Sequence, residues 1–124
     1  MLTNDSIRAR RMLKAAQDAA SFCQGFTVES LRADRVRALA VIRCLEIVCD
    51  AAEKMTSDFK KTNQNIPWRI MAHMRKRLSQ LYFSIDLSVI LETTQQELPH
   101  LITALTAAIV AEEKDGASDS DAPV

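Results

Sequence analysis

Glycine is almost absent from this chain, and that shortage constrains the fold more than any other feature. Only Gly25 and Gly116 occur in 124 residues, so the tight turns of β-hairpins have almost no glycine to support them. Strand-forming residues do not cluster, whereas Ala, Leu, Arg, Glu, Lys and Met dominate, and these are strong helix formers. The sequence predicts an all-α fold, a bundle of four to five helices.

Capping residues divide the first half of the chain into helices. The first helix is predicted to begin after residue 4 or 5 and to run to about residue 23, where Gly25 stops it. A short turn of helix is predicted after Thr27, because a hydroxyl at that position can cap the next N–H groups. Asp34 is predicted to cap the longest helix, over residues 34–61.

Two prolines and one aspartate mark predicted helix boundaries in the second half of the chain. Pro67 suits the first position of a helix that is predicted to run from residue 68 to about 79. Asp86 is predicted to cap a further helix. Pro99 is predicted to break or kink the chain before a last helical segment, because proline lacks the N–H that a helix interior needs.

The length suits one small domain, which we expect over residues 1–115, followed by a disordered acidic tail over 116–124. No apolar run approaches the roughly 20 residues that span a bilayer. The N-terminus carries Asp5 and three Arg where a secretory signal has an apolar core. These features predict a soluble cytoplasmic protein without a membrane span.

Three cysteines, Cys23, Cys44 and Cys49, lie in helix-like sequence. They show neither a Cys-x-x-Cys pair nor the Cys/His spacing of a metal site, and an odd number cannot all pair within one chain. We expect them to be buried small apolar residues, and the sequence predicts neither a metal site nor a cofactor.

The longest predicted helix carries two stripes at three- and four-residue spacing. The first stripe is apolar and resembles a coiled-coil seam: Ala38, Val41, Leu45, Val48, Ala52, Met55 and Phe59. The second stripe is polar: Arg43, Glu46, Asp50 and Glu53. Two interpretations of the polar stripe stay open, a solvated face or the lining of a polar cleft or partner surface.

The net charge is zero, but the charges are unevenly distributed. Residues 59–85 hold six basic residues and no acid, whereas residues 86–124 hold eight acids and one Lys. A local basic surface could bind phosphates in a salt-sensitive way. Alternatively, acidic neighbours in the fold neutralise it.

Two segments carry a resemblance to a known family. Residues 66–69 read I-P-W-R and residues 74–87 read M-R-K-R-L-S-Q-L-Y-F-S-I-D-L. They resemble the HepT-like branch of the HEPN superfamily, where this region reads approximately I-P-W-R-x-I-x-x-M-R-N-x-L-x-H-x-Y-F-x-I-D-L. Residues 43–52 resemble the family's R-N-L-E-I-I-G-E-A-A, and residues 97–101 resemble its D-L-P-x-L. The likeness extends over about residues 5–112.

The resemblance implies an up-and-down helical bundle that forms a homodimer and belongs to a toxin–antitoxin pair. Toxins of this family are metal-independent ribonucleases whose Arg-x4-His motif is assembled across the dimer. The usual partner is a minimal nucleotidyltransferase antitoxin, which can adenylylate a Tyr two residues after the motif His.

The match to this motif is incomplete. Arg75 matches the motif Arg and Tyr82 matches the Tyr, whereas Gln80 stands where the motif has His. Lys76 and Leu81 also replace the family's Asn and small residue. Because the glutamine amide can form hydrogen bonds but cannot carry a proton, Gln80 removes the expected acid–base group.

The leading interpretation is a HepT-like toxin-family protein with weak or absent RNA cleavage. Arg75 would be its phosphate-binding cation, and Tyr82 a modification site if a transferase is present. The remaining RNA-binding candidates are Arg69, Lys76 and Arg77. Two alternatives stay open: a non-catalytic module that binds a nucleotidyltransferase or RNA, and a structural dimer. A dimer-related His73 could stand in for the lost histidine.

Overall fold

The computed structural model describes residues 3–81 and 86–120, without the side chains of residues 80, 81 and 115–120. Within these residues the chain forms seven α-helices and one π-helical segment, and no strand. The elements are α1 (Asn4–Cys23), α2 (Val28–Arg32), α3 (Arg35–Lys54), α4 (Ser57–Thr62), α5 (Trp68–Leu81), α6 (Leu87–Glu92), the π segment (Thr93–Glu97) and α7 (Leu98–Ser120). The all-α prediction is confirmed. The count exceeds four to five because the short turn α2 is a helix of its own and the helix predicted over 34–61 is divided into α3 and α4.

Polar caps begin the helices close to where the sequence predicts. Thr3 caps α1, so the helix begins at Asn4, one or two residues before the predicted start. Gly25, with a φ of 77°, follows the end of α1 in the left-handed region that glycine adopts most easily. Thr27 and Ser30 cap α2 reciprocally, since each side chain accepts a hydrogen bond from the other's backbone N–H. Asp34 caps α3 as predicted.

The helix predicted over residues 34–61 is in fact two helices, so that prediction is wrong at Met55. Thr56 caps α4, its hydroxyl accepting a hydrogen bond from Phe59 N at 3.2 Å. Asp5 holds this corner, because its carboxylate accepts hydrogen bonds from Thr56 N at 3.1 Å and from Thr56 Oγ1 at 2.6 Å. The apolar seam therefore continues across a bend that a contact from α1 stabilises.

In the second half of the chain, the helices begin where the sequence predicts as far as Pro99. Pro67 immediately precedes α5, and Asp86 caps α6. The chain does not break at Pro99; it stays helical, with π-type turns over Thr93–Glu97 directly before α7. A proline ring disturbs the α-helical hydrogen bond to the carbonyl four residues earlier, and a local π turn is one way to accommodate such a change.

The backbone of α7 is helical through Ser120, whereas the sequence predicts a disordered tail from Gly116. Residues 121–124 lie outside the described part of the chain. The domain boundary at residue 115 therefore stays a prediction.

The core lies where α1 packs against α3 and α7, while α3 also packs against α5. Small side chains on α1 are fully or almost fully buried, which allows neighbouring helices to approach closely: Ala9, Ala15, Ala16 and Ala19. The predicted seam of α3 is buried through Ala52, and Met55 beyond it is buried too. No helix in the described residues is long and apolar enough to cross a membrane.

Candidate active site

Helix α5 carries most of the residues that the sequence singles out. Met71, Met74 and Leu78 bury one side of it in the core. Arg69 and Lys76 are exposed and lie seven residues apart, so they share one outer stripe of the helix. The helix therefore joins the core on one side and presents cations to solvent on the other.

The guanidinium of Arg75 lies beside two carboxylates of α3. Its Nη1 is 3.0 Å from Asp50 Oδ1, and its Nε is 3.4 Å from Glu53 Oε1. The side chains of Arg75, Asp50 and Glu53 remain 40%, 42% and 57% exposed. Arg43 instead pairs within α3 with Glu46, at 3.2 Å. The contacts of Asp50 and Glu53 thus favour the cleft interpretation of the polar stripe, and any phosphate would meet a cation that already has two acidic neighbours.

A groove of about 160 Å³ lies between α3, α4 and α5, beside Arg75. Glu53 lines it, together with Lys60 and Trp68. The Lys60 ammonium lies 5.7 Å from the centre of the Trp68 ring, and Trp68 Nε1 donates a hydrogen bond to Asn63 O at 3.1 Å. The groove is smaller than the roughly 300–1,000 Å³ of a typical small-molecule pocket. Its lining includes two cations, one carboxylate and an aromatic ring that a hydrogen bond holds in place.

Cys49 also lines the groove, but it is not a nucleophile at neutral pH. Burial raises the pKa of its thiol to about 12, although the nearby charge of Arg75 opposes this rise. The thiol donates a weak hydrogen bond to Met71 O at 3.7 Å. Since the thiolate is the reactive form, Cys49 stays inert. Burial also raises the pKa of Cys23 and of Cys44, and all three cysteines are free.

The other predicted site residues do not all meet at this groove. Arg77 pairs with Glu97 of the π segment at 3.4 Å, away from Arg75. His73 is exposed on the outer side of α5. The backbone of Gln80 belongs to α5, but its side chain lies outside the described residues, as does the whole of Tyr82. Arg75 alone among the predicted catalytic residues therefore has a described side-chain environment.

Sequence reasoning missed the partners of Arg75 and the place of Lys60. In a continuous helix over residues 34–61, Lys60 would lie about 10 Å along the axis from Glu53, whereas the bend at Thr56 lets both line one groove. The signal available in the sequence was charge, because the end of α3 is acidic whereas α5 is basic and contains no acid. Among the described residues, no group of three or more His, Cys, Asp or Glu side chains could hold a metal ion.

Several known proteins are similar to this chain. A protein of Thermococcus cleftensis described as a probable ribonuclease HepT is 38% identical over 80 residues, which cover 64% of this chain and 73% of that protein. A putative RNase of Caldanaerobacter subterraneus is 32% identical over 78 residues, covering 63% of this chain and 70% of that protein. A putative RNase of Methanocaldococcus jannaschii is 29% identical over 90 residues, covering 73% and 74%.

No solved structure matches the chain. The family model described as ribonuclease HepT-like matches residues 12–108, which include α3, α5 and the groove between them. The match covers well over half of the 124 residues. The chain belongs to the HepT-like ribonuclease family.

Proposed function

We propose that this chain is the ribonuclease of a HepT-like toxin–antitoxin module and that its RNA cleavage is weak or lost because Gln80 stands at the motif His position. Membership of the ribonuclease family supports the reaction class. The single observation that carries the site is Arg75, a cation 40% exposed beside a small polar groove. A guanidinium there can stabilise the charge that builds on a phosphate during cleavage.

The expected loss of activity follows from the chemistry of position 80. Metal-independent RNA cleavage needs a group that removes the proton from the 2′-hydroxyl, and a glutamine amide cannot do so. Loss of general acid–base catalysis typically slows a reaction by about 10²–10⁴-fold. Arg69 and Lys76, exposed on the same helix, would add contacts to RNA phosphates. Arg77 would contribute less, because Glu97 pairs with it.

The proposal includes the partners that the family resemblance implies. The chain would form a homodimer that brings two motif helices together, and a minimal nucleotidyltransferase antitoxin would bind it. Tyr82 would be the residue that such a partner adenylylates. The complex would act in the cytoplasm, on transcripts.

A second candidate function is a non-catalytic module that binds a nucleotidyltransferase or RNA. Two observations favour it: Gln80 occupies the position of the proton-transfer residue, and Arg75 is already paired with Asp50 and Glu53. This alternative predicts no cleavage by the purified chain, together with a stable complex that elutes as one species with a nucleotidyltransferase in size-exclusion chromatography.

An RNA cleavage assay separates these functions. We expect slow cleavage of a labelled single-stranded RNA by the purified chain, loss of cleavage in Arg75→Ala, and a gain in Gln80→His because an imidazole restores proton transfer. Arg43→Ala is the matched control, since it removes an arginine that is exposed and paired on α3, outside the groove lining. Rapid cleavage by the unmodified chain would contradict the proposed impairment. Failure of Gln80→His to cleave would contradict the missing-base explanation.

A further inference from the structure

The two carboxylates next to Arg75 occupy different places. Glu53 lines the groove together with Arg75 and Lys60. Asp50 contacts the same guanidinium at a shorter distance, 3.0 Å, but does not line the groove. A molecule bound in the groove would therefore face Glu53, whereas Asp50 would support Arg75 from outside.

The position of Glu53 suits proton transfer in RNA cleavage. Its Oε1 is 3.4 Å from Arg75 Nε, so a phosphate held by that guanidinium would lie close to the carboxylate. In RNA the 2′-hydroxyl is next to the phosphate that it attacks, and a group that accepts its proton must come within hydrogen-bond reach. Glu53 is 57% exposed and can reach a ligand in the groove. An ionised carboxylate only accepts hydrogen bonds, which is what a base requires.

We infer that Glu53 is the proton acceptor for RNA cleavage in this chain, in the groove where Arg75 and Lys60 bind the scissile phosphate. The inference rests on the proposed ribonuclease function, and Glu53 would account for the slow cleavage that is expected without the motif His. It uses residues from α3, α4 and α5 of one chain, all within the described structure.

The reaction step balances without a further reagent. The Glu53 carboxylate takes the proton of the 2′-hydroxyl while the 2′-oxygen forms a bond to phosphorus. The bond between phosphorus and the 5′-oxygen breaks, and the leaving 5′-oxygen takes a proton from water. Protonated Glu53 then returns its proton to the solvent. The products are a 2′,3′-cyclic phosphate end and a 5′-hydroxyl end.

Lys60 adds the second positive charge that this step needs. Within the described residues its ammonium has no carboxylate within ion-pair distance, and its observed contact is the face of Trp68 at 5.7 Å. Arg75, by contrast, is shared with two acids. A phosphate in the groove would thus gain a cation whose charge is not already paired, and charge on the transition state would be stabilised from two sides.

Three acid-to-amide variants test the inference on the full chain, with a short single-stranded RNA as substrate. Glu53→Gln should lower kcat by about 100-fold or more, because a general base typically contributes about 10²–10⁴-fold. Asp50→Asn should lower kcat by less than about tenfold, because Asp50 acts on Arg75 alone. Asp18→Asn is the matched control: it removes an acid that pairs with Lys14 on α1, outside the groove lining, and should leave kcat unchanged. Mass spectrometry should identify the cyclic phosphate.

Two readouts exclude an effect on folding. Each variant should keep the circular dichroism spectrum and melting temperature of the unmodified chain. Glu53→Asp, which retains the carboxylate on a shorter side chain, should recover part of the activity that Glu53→Gln loses. If Glu53 only paired with Arg75, Glu53→Gln would instead change KM and leave kcat unchanged.

Several outcomes would overturn the inference. One is no cleavage by the unmodified chain; another is an unchanged kcat in Glu53→Gln; a third is an equal loss of kcat in Glu53→Gln and Asp50→Asn. Gln80→His distinguishes these from failure of the proposed function. If that variant cleaves RNA and the unmodified chain does not, the ribonuclease proposal stands and the role of Glu53 falls. If neither cleaves, both fall.

Discussion

If Arg75 binds an RNA phosphate as we propose, Asp50 competes with that phosphate for the guanidinium, and Asp50→Asn should tighten RNA binding. In the free chain Asp50 Oδ1 lies 3.0 Å from Arg75 Nη1. A phosphate bound to Arg75 must weaken this contact and must also approach a negative charge. The amide of asparagine keeps the shape of the side chain but removes that charge.

The exposure of the two side chains determines how much RNA binding should tighten. Arg75 and Asp50 are 40% and 42% exposed, so solvent screens their attraction. An exposed ion pair of this kind contributes about 0.2–1 kcal/mol. Removing that competition should lower the dissociation constant by about 1.4- to 5-fold, since each 1.4 kcal/mol corresponds to roughly tenfold.

Fluorescence polarisation with a labelled 2′-O-methyl RNA measures this change without cleavage, because the attacking hydroxyl is blocked. Arg75→Ala should weaken binding and reduce the slope of log K against log salt by about 0.7, the value for one phosphate contact on a single strand. Asp18→Asn, with the same charge change on α1, serves as the control. Unchanged or weaker binding by Asp50→Asn would refute the competition, and an unchanged salt slope in Arg75→Ala would refute the phosphate contact.

Three further predictions concern the scaffold. Gly25→Ala should lower the free energy of unfolding by about 1–2 kcal/mol in urea titrations through its φ of 77° alone, since nothing lies within 4 Å of the added Cβ; an unchanged midpoint would contradict this. At pH 8 a thiol reagent should label Cys44 faster than the buried Cys49, whose pKa of about 12 keeps it protonated, and urea should remove the difference; rapid labelling of folded Cys49 would count against it. Burial raises the pKa of Asp5, but hydrogen bonds from Thr56 and the charge of Arg8 outweigh this and leave that pKa below its usual value. Its contribution to stability is therefore present at neutral pH and is lost as pH falls through this lowered pKa. Asp5→Asn should melt lower at pH 7, and the two melting temperatures should converge only at a pH below the ordinary Asp pKa of about 3.9.

The helix starts were predictable because their causes are local. Thr27, Asp34 and Asp86 each cap a helix through N–H groups two or three residues away, so the signal lies within one turn of sequence. The bend at Thr56 was predictable only in part. Thr56 caps α4 through Phe59 N, three residues away, but it is also bonded to Asp5, 51 residues earlier, and the apolar seam of α3 shows no interruption there.

The sequence indicated which residues belong to the candidate site, but not which of them pair with one another. The spacing of Asp50 and Glu53 placed them on one stripe, and the resemblance singled out Arg75. Which cation they face depends on how α3 packs against α5, and no local pattern encodes that contact. The pairing of Arg77 with Glu97 was not predictable for the same reason, since the two residues lie on different elements and 20 positions apart in the sequence.

The contact between Asp5 and Thr56 has a consequence for how the protein would tolerate change. Thr56 starts the helix that carries Lys60, so the first turn of α1 helps to set one wall of the groove from the far end of the sequence. Substitution of Asp5 would therefore disturb the wall of the groove as well as lower the melting temperature. A screen that scored only folding would record the second effect and miss the first.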